Sequence, residues 1–165
     1  MKIDYLKRYW IGTEMFPRIK ISKEILKFLS REYKDFRPHL KRNFKEDQCY
    51  CDILDIGISQ VSQQSVYNDL EDYHTIEFGD NEYIIDECFA GVCYGITHHT
   101  DMADPNGFSL MVPLTTREYI FSSDSEHHCK KFGHVQFKSS ELHSLMPVGR
   151  QLDPFLFLLI DYRKM

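Results

Sequence analysis

The chain has no apolar stretch long enough to span a bilayer. Its longest, Phe155 to Ile160, is far short of the roughly 20 residues a membrane helix needs. The start, Met1-Lys2-Ile3-Asp4-Tyr5, lacks the apolar core of a secretory signal. Cysteines are few and odd in number, five in 165 residues, which argues against a framework of paired disulfides. Surplus positive charge is missing as well. A formal net charge of −5 disfavours a general nucleic-acid binder while leaving room for a local basic patch. No repeat, low-complexity tract or Pro/Gly/Ser-rich linker divides the chain. Together these absences predict one domain over residues 1–165, no membrane span and a reducing, cytoplasmic setting. They are silent on oligomeric state.

What is present is enough to build a core: 42% of residues are hydrophobic, and aromatics are generous. Ser22 is placed to cap a helix running to about Lys34. Ile25, Phe28, Leu29 and Tyr33 fall on one face of it, and Pro38 stands where that segment would close. Residues 1–48 therefore read as helical support for a β-rich core over 49–165. Strands are expected at Tyr50–Ser59, Tyr73–Phe78, Glu82–Cys88, Val92–Thr97, Phe108–Leu114, Glu118–Ser122, His134–Lys138, Leu142–Val148 and Phe155–Tyr162. Ser62–Leu70 is polar and reads as a loop or short helix, and Gly79-Asp80-Asn81 is a hairpin signal. A helix followed by many short strands predicts helices packed on a β-sandwich or jelly roll.

Chemistry concentrates at His99-Thr100-Asp101 and at His143. A His-x-Asp pair and a distant His can hold one iron on three adjacent octahedral corners, leaving three open for oxygen and a co-substrate. His99 and Asp101 are two apart, so both can point the same way from a strand entering a loop. His98 is one residue off that spacing and reads as a packed neighbour.

Other groupings read more plainly. His127-His128-Cys129, with Asp124 and Glu126, lacks a recognised zinc spacing and reads as a solvated loop. Cys49-x-Cys51 lacks redox-motif spacing and reads as packed thiols on a strand. Lys34, Arg37, His39, Lys41, Arg42 and Lys45, interleaved with Phe36 and Phe44, read as a solvated helix end and loop.

The context of the triplet adds a resemblance. Tyr94-Gly95-Ile96-Thr97-His98-His99-Thr100-Asp101 is followed by Ser109-Leu110-Met111-Val112-Pro113-Leu114, then Gly133-His134-Val135-Gln136-Phe137, then His143 and Pro147-Val148-Gly149-Arg150. In order and spacing this resembles the Fe(II)/2-oxoglutarate-dependent dioxygenases, particularly their compact prolyl-hydroxylase-like branch, over about Tyr94 to Asp161. The resemblance implies a double-stranded β-helix (jelly roll), mainly β with N-terminal helices. It also implies Fe(II) held by His99, Asp101 and His143, with O2 and 2-oxoglutarate as co-substrates and ascorbate as an allowed reductant. The implied substrate is an amino-acid side chain, free or in a peptide or protein, or a related small molecule. A carboxylate at Asp101 favours hydroxylation, because related halogenases carry a small residue there.

The basic residue that grips the keto acid is where this sequence departs from the pattern. Arg150 comes early, and Leu152, Asp153 and Pro154 occupy the expected zone. Arg150 is preferred because a guanidinium fork suits a carboxylate. Arg163 and Arg117 remain alternatives, with Tyr94 or Thr97 adding a hydroxyl contact. Leu156 stands where a nucleic-acid demethylase of this superfamily carries a second Arg, which demotes a repair reading. Two rivals stay open: a cupin-like metalloprotein with the same three ligands and no keto acid, and a non-catalytic jelly-roll binding module.

Overall fold

The computed structural model describes residues 17, 19, 21–36, 49–53, 75–101, 104–138, 140–149 and 153–165. Helix α1 spans Lys23–Glu32, and the Ser22 hydroxyl caps it by accepting the Glu24 N–H at 3.2 Å. Glu24 in the first turn and Arg31 in the last both suit the helix dipole. Leu26, Leu29 and Tyr33 are buried at helical spacing. The stripe is thus displaced from the expected one, with Leu26 turned inward and Phe28 37% exposed. The helix also stops at Glu32 rather than near Lys34. Ser30 pins it to the sheet by donating its hydroxyl to the Leu114 carbonyl at 2.7 Å.

The remaining elements are strands: β1 Cys49–Ile53, β2 Thr75–Phe78, β3 Asn81–His99, β4 Phe108–Pro113, β5 Tyr119–Ser122, β6 Glu126–His128, β7 Val135–Phe137, β8 His143–Pro147 and β9 Phe155–Lys164. The sheet order is β6-β5-β8-β3-β9-β4-β7, with β1 and β2 also paired to β3. Every pairing is antiparallel. The two strands expected at Glu82–Cys88 and Val92–Thr97 are one continuous strand, β3. It pairs with β9 over Tyr83–Cys93, then leaves it and pairs with β8 at Ile96 and His99. Gly95 sits in that transition at φ 149°, a conformation that favours glycine.

One strand therefore belongs to two halves of the sheet, and the halves close on each other. Phe121 on β5 and Phe137 on β7 lie near opposite ends of the strand path, yet their rings are 4.7 Å apart. The result is a curled antiparallel jelly roll, the expected fold class. The run Phe155–Ile160 is continuously apolar because β9 is buried on both faces. Phe155 and Phe157 point into the curl, while Leu156, Leu158, Ile160 and Tyr162 point outward to the core beneath α1. The segment around His127 and His128, expected as a solvated loop, forms the short strand β6 on β5. Residues 54–70 and Pro38, Arg37, His39, Lys41, Arg42, Phe44 and Lys45 lie outside the described residues. Among the described residues no helix is long and apolar enough to cross a membrane.

The link from β3 to β4 is tied to β9. Asp104 accepts the Asn106 N–H at 3.0 Å and the Lys164 N–H at 2.8 Å, and the Gly107 N–H closes the turn onto the Asp104 carbonyl at 2.9 Å. A Cβ on Gly107 would land on the Tyr162 carbonyl oxygen, which the β9 backbone holds in place. Gly107→Ala should therefore cost about 2 kcal/mol of stability by overpacking. Urea unfolding checks this, and an unchanged midpoint would mean the turn yields freely.

Candidate metal centre

His99 ends β3, Asp101 follows two residues later, and His143 begins β8. The β3–β8 register places His99 directly opposite His143, with ring centroids 4.4 Å apart. Asp101 lies between the two rings, its Oδ1 3.2 Å from His99 Nε2 and its Oδ2 3.4 Å from His143 Nε2. Adjacent octahedral corners with bonds of about 2.1 Å are about 3 Å apart. One ligand atom from each of the three residues lies within 4.8 Å of the others, close enough to share a cation.

The imidazoles are oriented for that purpose. His99 Nδ1 is 2.7 Å from the Thr97 carbonyl, and His143 Nδ1 is 2.7 Å from the Glu141 carbonyl. A carbonyl only accepts, so each Nδ1 carries a proton and donates it, which aims Nε2 at the position a metal would take in place of the Nε2 proton. His143 is further fixed between Phe121 and Phe137, at centroid distances of 5.6 and 4.8 Å. Its side chain is 6% exposed, whereas those of His99 and Asp101 are 24% and 29% exposed. The triad therefore stands between interior and solvent.

Burial opposes charge on Asp101, but hydrogen bonds from His143 and His99 outweigh it and hold the carboxyl well below the usual range. Burial likewise opposes protonation of His99, and here the bonds to Asp101 and Thr97 win and raise its pKa. An ionised carboxylate flanked by two Nε2 atoms is a donor set that suits a divalent ion.

A second carboxyl stands nearby. Asp161 lies on the inward face of β9 with Phe157 and Leu159, 7% exposed, and accepts the Ser109 hydroxyl at 2.5 Å. Burial pushes its pKa up to about 6 against that hydrogen bond, with help from the charges of Asp101, Glu87 and Asp86. Asp161 falls inside the strand expected over Phe155–Tyr162 and is no part of the site expected from the sequence. Its signal is parity: Asp161 shares the alternation of Phe155, Phe157 and Leu159.

The triad borders a cavity of about 240 Å³. Its other walls are Phe89 and Ile96 from β3, Met111 from β4, Phe121 from β5, Phe137 from β7, Leu145 from β8, and Phe157 and Leu159 from β9. No Lys or Arg lines it among the described residues. Arg163 pairs with Asp86 at 3.6 Å and Arg117 with Asp153 at 3.0 Å, both at partly exposed positions away from the chamber walls. Arg150 lies outside the described residues.

Tyr94 is not a wall residue; its carbonyl accepts the Tyr119 hydroxyl at 3.2 Å. Thr97 serves the site through its carbonyl. His98 is exposed rather than packed as expected, because it takes the opposite side of the strand from Thr97 and His99, and Cys129 is a buried thiol pushed up to about 12 by burial. Among the described residues the triad is the one group able to hold a metal, so His127, His128 and Cys129 form none.

No family model matches the chain, and no curated protein matches it. Among solved structures it is similar to a prolyl hydroxylase from Trichoplax adhaerens in complex with a hypoxia inducible factor oxygen degradation domain peptide. That match has 12% identity over 85% of this chain and 76% of the other, with a TM-score of 0.49. A 2OG-Fe(II) oxygenase family oxidoreductase from Burkholderia pseudomallei shares 15% identity over 64% of this chain and 53% of its own, TM-score 0.41. An RmlC-like cupin from Desulfovibrio desulfuricans shares 14% over 53% and 77%, TM-score 0.35. The chain thus spans about half the Burkholderia protein. The jelly-roll assignment itself rests on strand order and register.

Proposed function

We propose that this protein is an Fe(II)- and 2-oxoglutarate-dependent dioxygenase that hydroxylates an amino-acid side chain, free or in a peptide or protein. The observation that supports it most is the convergence of His99 Nε2, Asp101 and His143 Nε2, with both Nδ1 protons already engaged by carbonyls. Bound Fe(II) would supply the oxygen chemistry that no side chain provides.

The residues do the rest. His99 and His143 give neutral nitrogen ligands whose tautomer is fixed. Asp101, ionised at neutral pH, contributes the charge that favours a dication. Phe121, Phe137 and Phe157 keep bulk water from the inner side of the triad. Arg150 is the residue we assign to the distal carboxylate of 2-oxoglutarate. A cytoplasmic setting suits ferrous iron and the free thiols Cys88, Cys93 and Cys129.

The test is succinate release from 2-oxoglutarate by the Fe(II)-loaded chain. We expect turnover that depends on both, with Arg150→Ala weakening keto-acid affinity about tenfold or more through loss of a bidentate ion pair. Arg117→Ala and Arg163→Ala should leave that affinity unchanged, because both side chains are paired elsewhere. Failure of the Fe-loaded chain to bind 2-oxoglutarate would instead support a cupin-like metalloprotein without a keto acid. The apolar chamber, free of described cations, is the feature that favours that second reading.

A further inference from the structure

Beside the chamber, the inner face of the sheet carries a row of polar residues that the metal centre does not use. We propose that Asp161 and Glu87 receive a cationic group, an ammonium or guanidinium, so that the substrate carries a basic side chain. That the guest is a substrate rests on the oxygenase reading; the cation site itself does not.

The row follows from strand register. Phe89, Leu159 and Met111 stand side by side on β3, β9 and β4 and line the chamber. One step along, on the same face, come Glu87, Asp161 and Ser109. An irregularity in β3 between Ile85 and Glu87 lets Ile85 keep to the outer core while Glu87 takes the inner face. The row grades from interior to solvent: Ser109 is fully buried, Asp161 is 7% exposed, and Glu87 is exposed. A group that passes Glu87 meets Asp161 next.

The charges along this row are of one sign. Asp161 and Glu87 are directly opposed across β9 and β3, and like charges so placed destabilise a sheet unless something lies between them. The charges of Asp101 and Asp86 also reach Asp161. Asp86 is paired with Arg163, whereas among the described residues Asp161 has the Ser109 hydroxyl alone, on Oδ1. That bond needs an acceptor, not a charge. A buried carboxylate among other carboxylates is costly until a cation joins them. The cation is an organic one. Among the described residues the triad is the one set close enough to chelate an ion, so Asp161, Glu87 and Asp86 are too dispersed for a metal. An ammonium or guanidinium brings several N–H donors and can span two carboxylates. Because Asp161 lies within electrostatic reach of Asp101, a side chain anchored there by its charged end has its methylenes beside the metal centre.

The test uses the full chain with Mn(II) present and the Nα-acetyl methylamides of lysine, arginine and norleucine. Calorimetry at low salt should show a basic probe binding at least about tenfold tighter than norleucine. Asp161→Asn should bring that probe to within about threefold of norleucine while Mn(II) still binds. Glu87→Gln, at an exposed position, should cut the preference at least about threefold, and it decides the matter if Asp161→Asn does not fold. No preference for either basic probe over norleucine, or a preference that survives substitution, would overturn the proposal. A preference of the expected kind without succinate release would sink the oxygenase reading and leave the cation site standing. Succinate release without any preference would do the reverse.

Discussion

Asp101→Ala is expected to weaken Mn(II) or Fe(II) binding at least about 100-fold and to end any turnover. The carboxylate is the charged member of the donor set, and it bridges the two Nε2 atoms at 3.2 and 3.4 Å. Without it, two neutral imidazoles face a dication with nothing to offset its charge. The fold should tolerate the change, because Asp101 sits at the end of β3 with 29% of its side chain exposed. Metal titration by calorimetry and thermal unfolding of the same samples separate the two effects. An Asp101→Ala chain that binds metal like the wild type would show that the ion is held elsewhere.

His143→Ala is the less informative substitution. Its ring is enclosed by Phe121 and Phe137 and donates to the Glu141 carbonyl. Truncation would leave a cavity costing about 2–4 kcal/mol, so loss of metal and loss of fold would arrive together. A non-catalytic jelly roll would suffer the same loss of stability. Asp101, at the rim, is where function and folding can be told apart.

The difference between those positions explains what the sequence could reveal. His99 and Asp101 were legible because a spacing of two residues on a strand fixes a shared face. His143 was legible only through its order relative to the Pro113-Leu114 strand and Pro147-Val148. Its opposition to His99 is a register property, set by the β3–β8 pairing that no local pattern encodes. The same limit split β3 in two. Gly91 and Gly95 punctuate it like loop residues, yet the backbone runs through Gly91 still paired with Phe157 and changes partners only around Gly95. On α1, Leu26 and Phe28 stand about 200° apart, so one of them must face outward. Both fit a stripe with Leu29 and Tyr33 or beside it, and tertiary packing turns Leu26 into the buried cluster that also holds Leu110 and Leu158, leaving Phe28 exposed. Arg150 departs from the motif spacing and is preferred for its guanidinium chemistry alone, and it lies outside the described residues.

Asp161→Asn is expected to stabilise the metal-free chain at neutral pH, an unusual outcome for a buried polar residue beside a candidate active site. In the unfolded chain this carboxyl ionises near 3.8, and in the fold near 6. Below the lower value both states hold the proton and the residue is neutral in the balance. Between the two, the unfolded state releases its proton while the folded state keeps it, so stability falls as pH rises. Above the higher value the full penalty is present, on the order of 3 kcal/mol. Asparagine removes the ionisation and can still accept the Ser109 hydroxyl. The variant should therefore melt roughly 6–12 °C above wild type at pH 7.5, with the gap closing towards pH 4. A gap independent of pH would mean Asp161 is not held protonated by burial. Metal at the triad should narrow the gap at pH 7.5, because a dication offsets the Asp101 charge that helps raise Asp161.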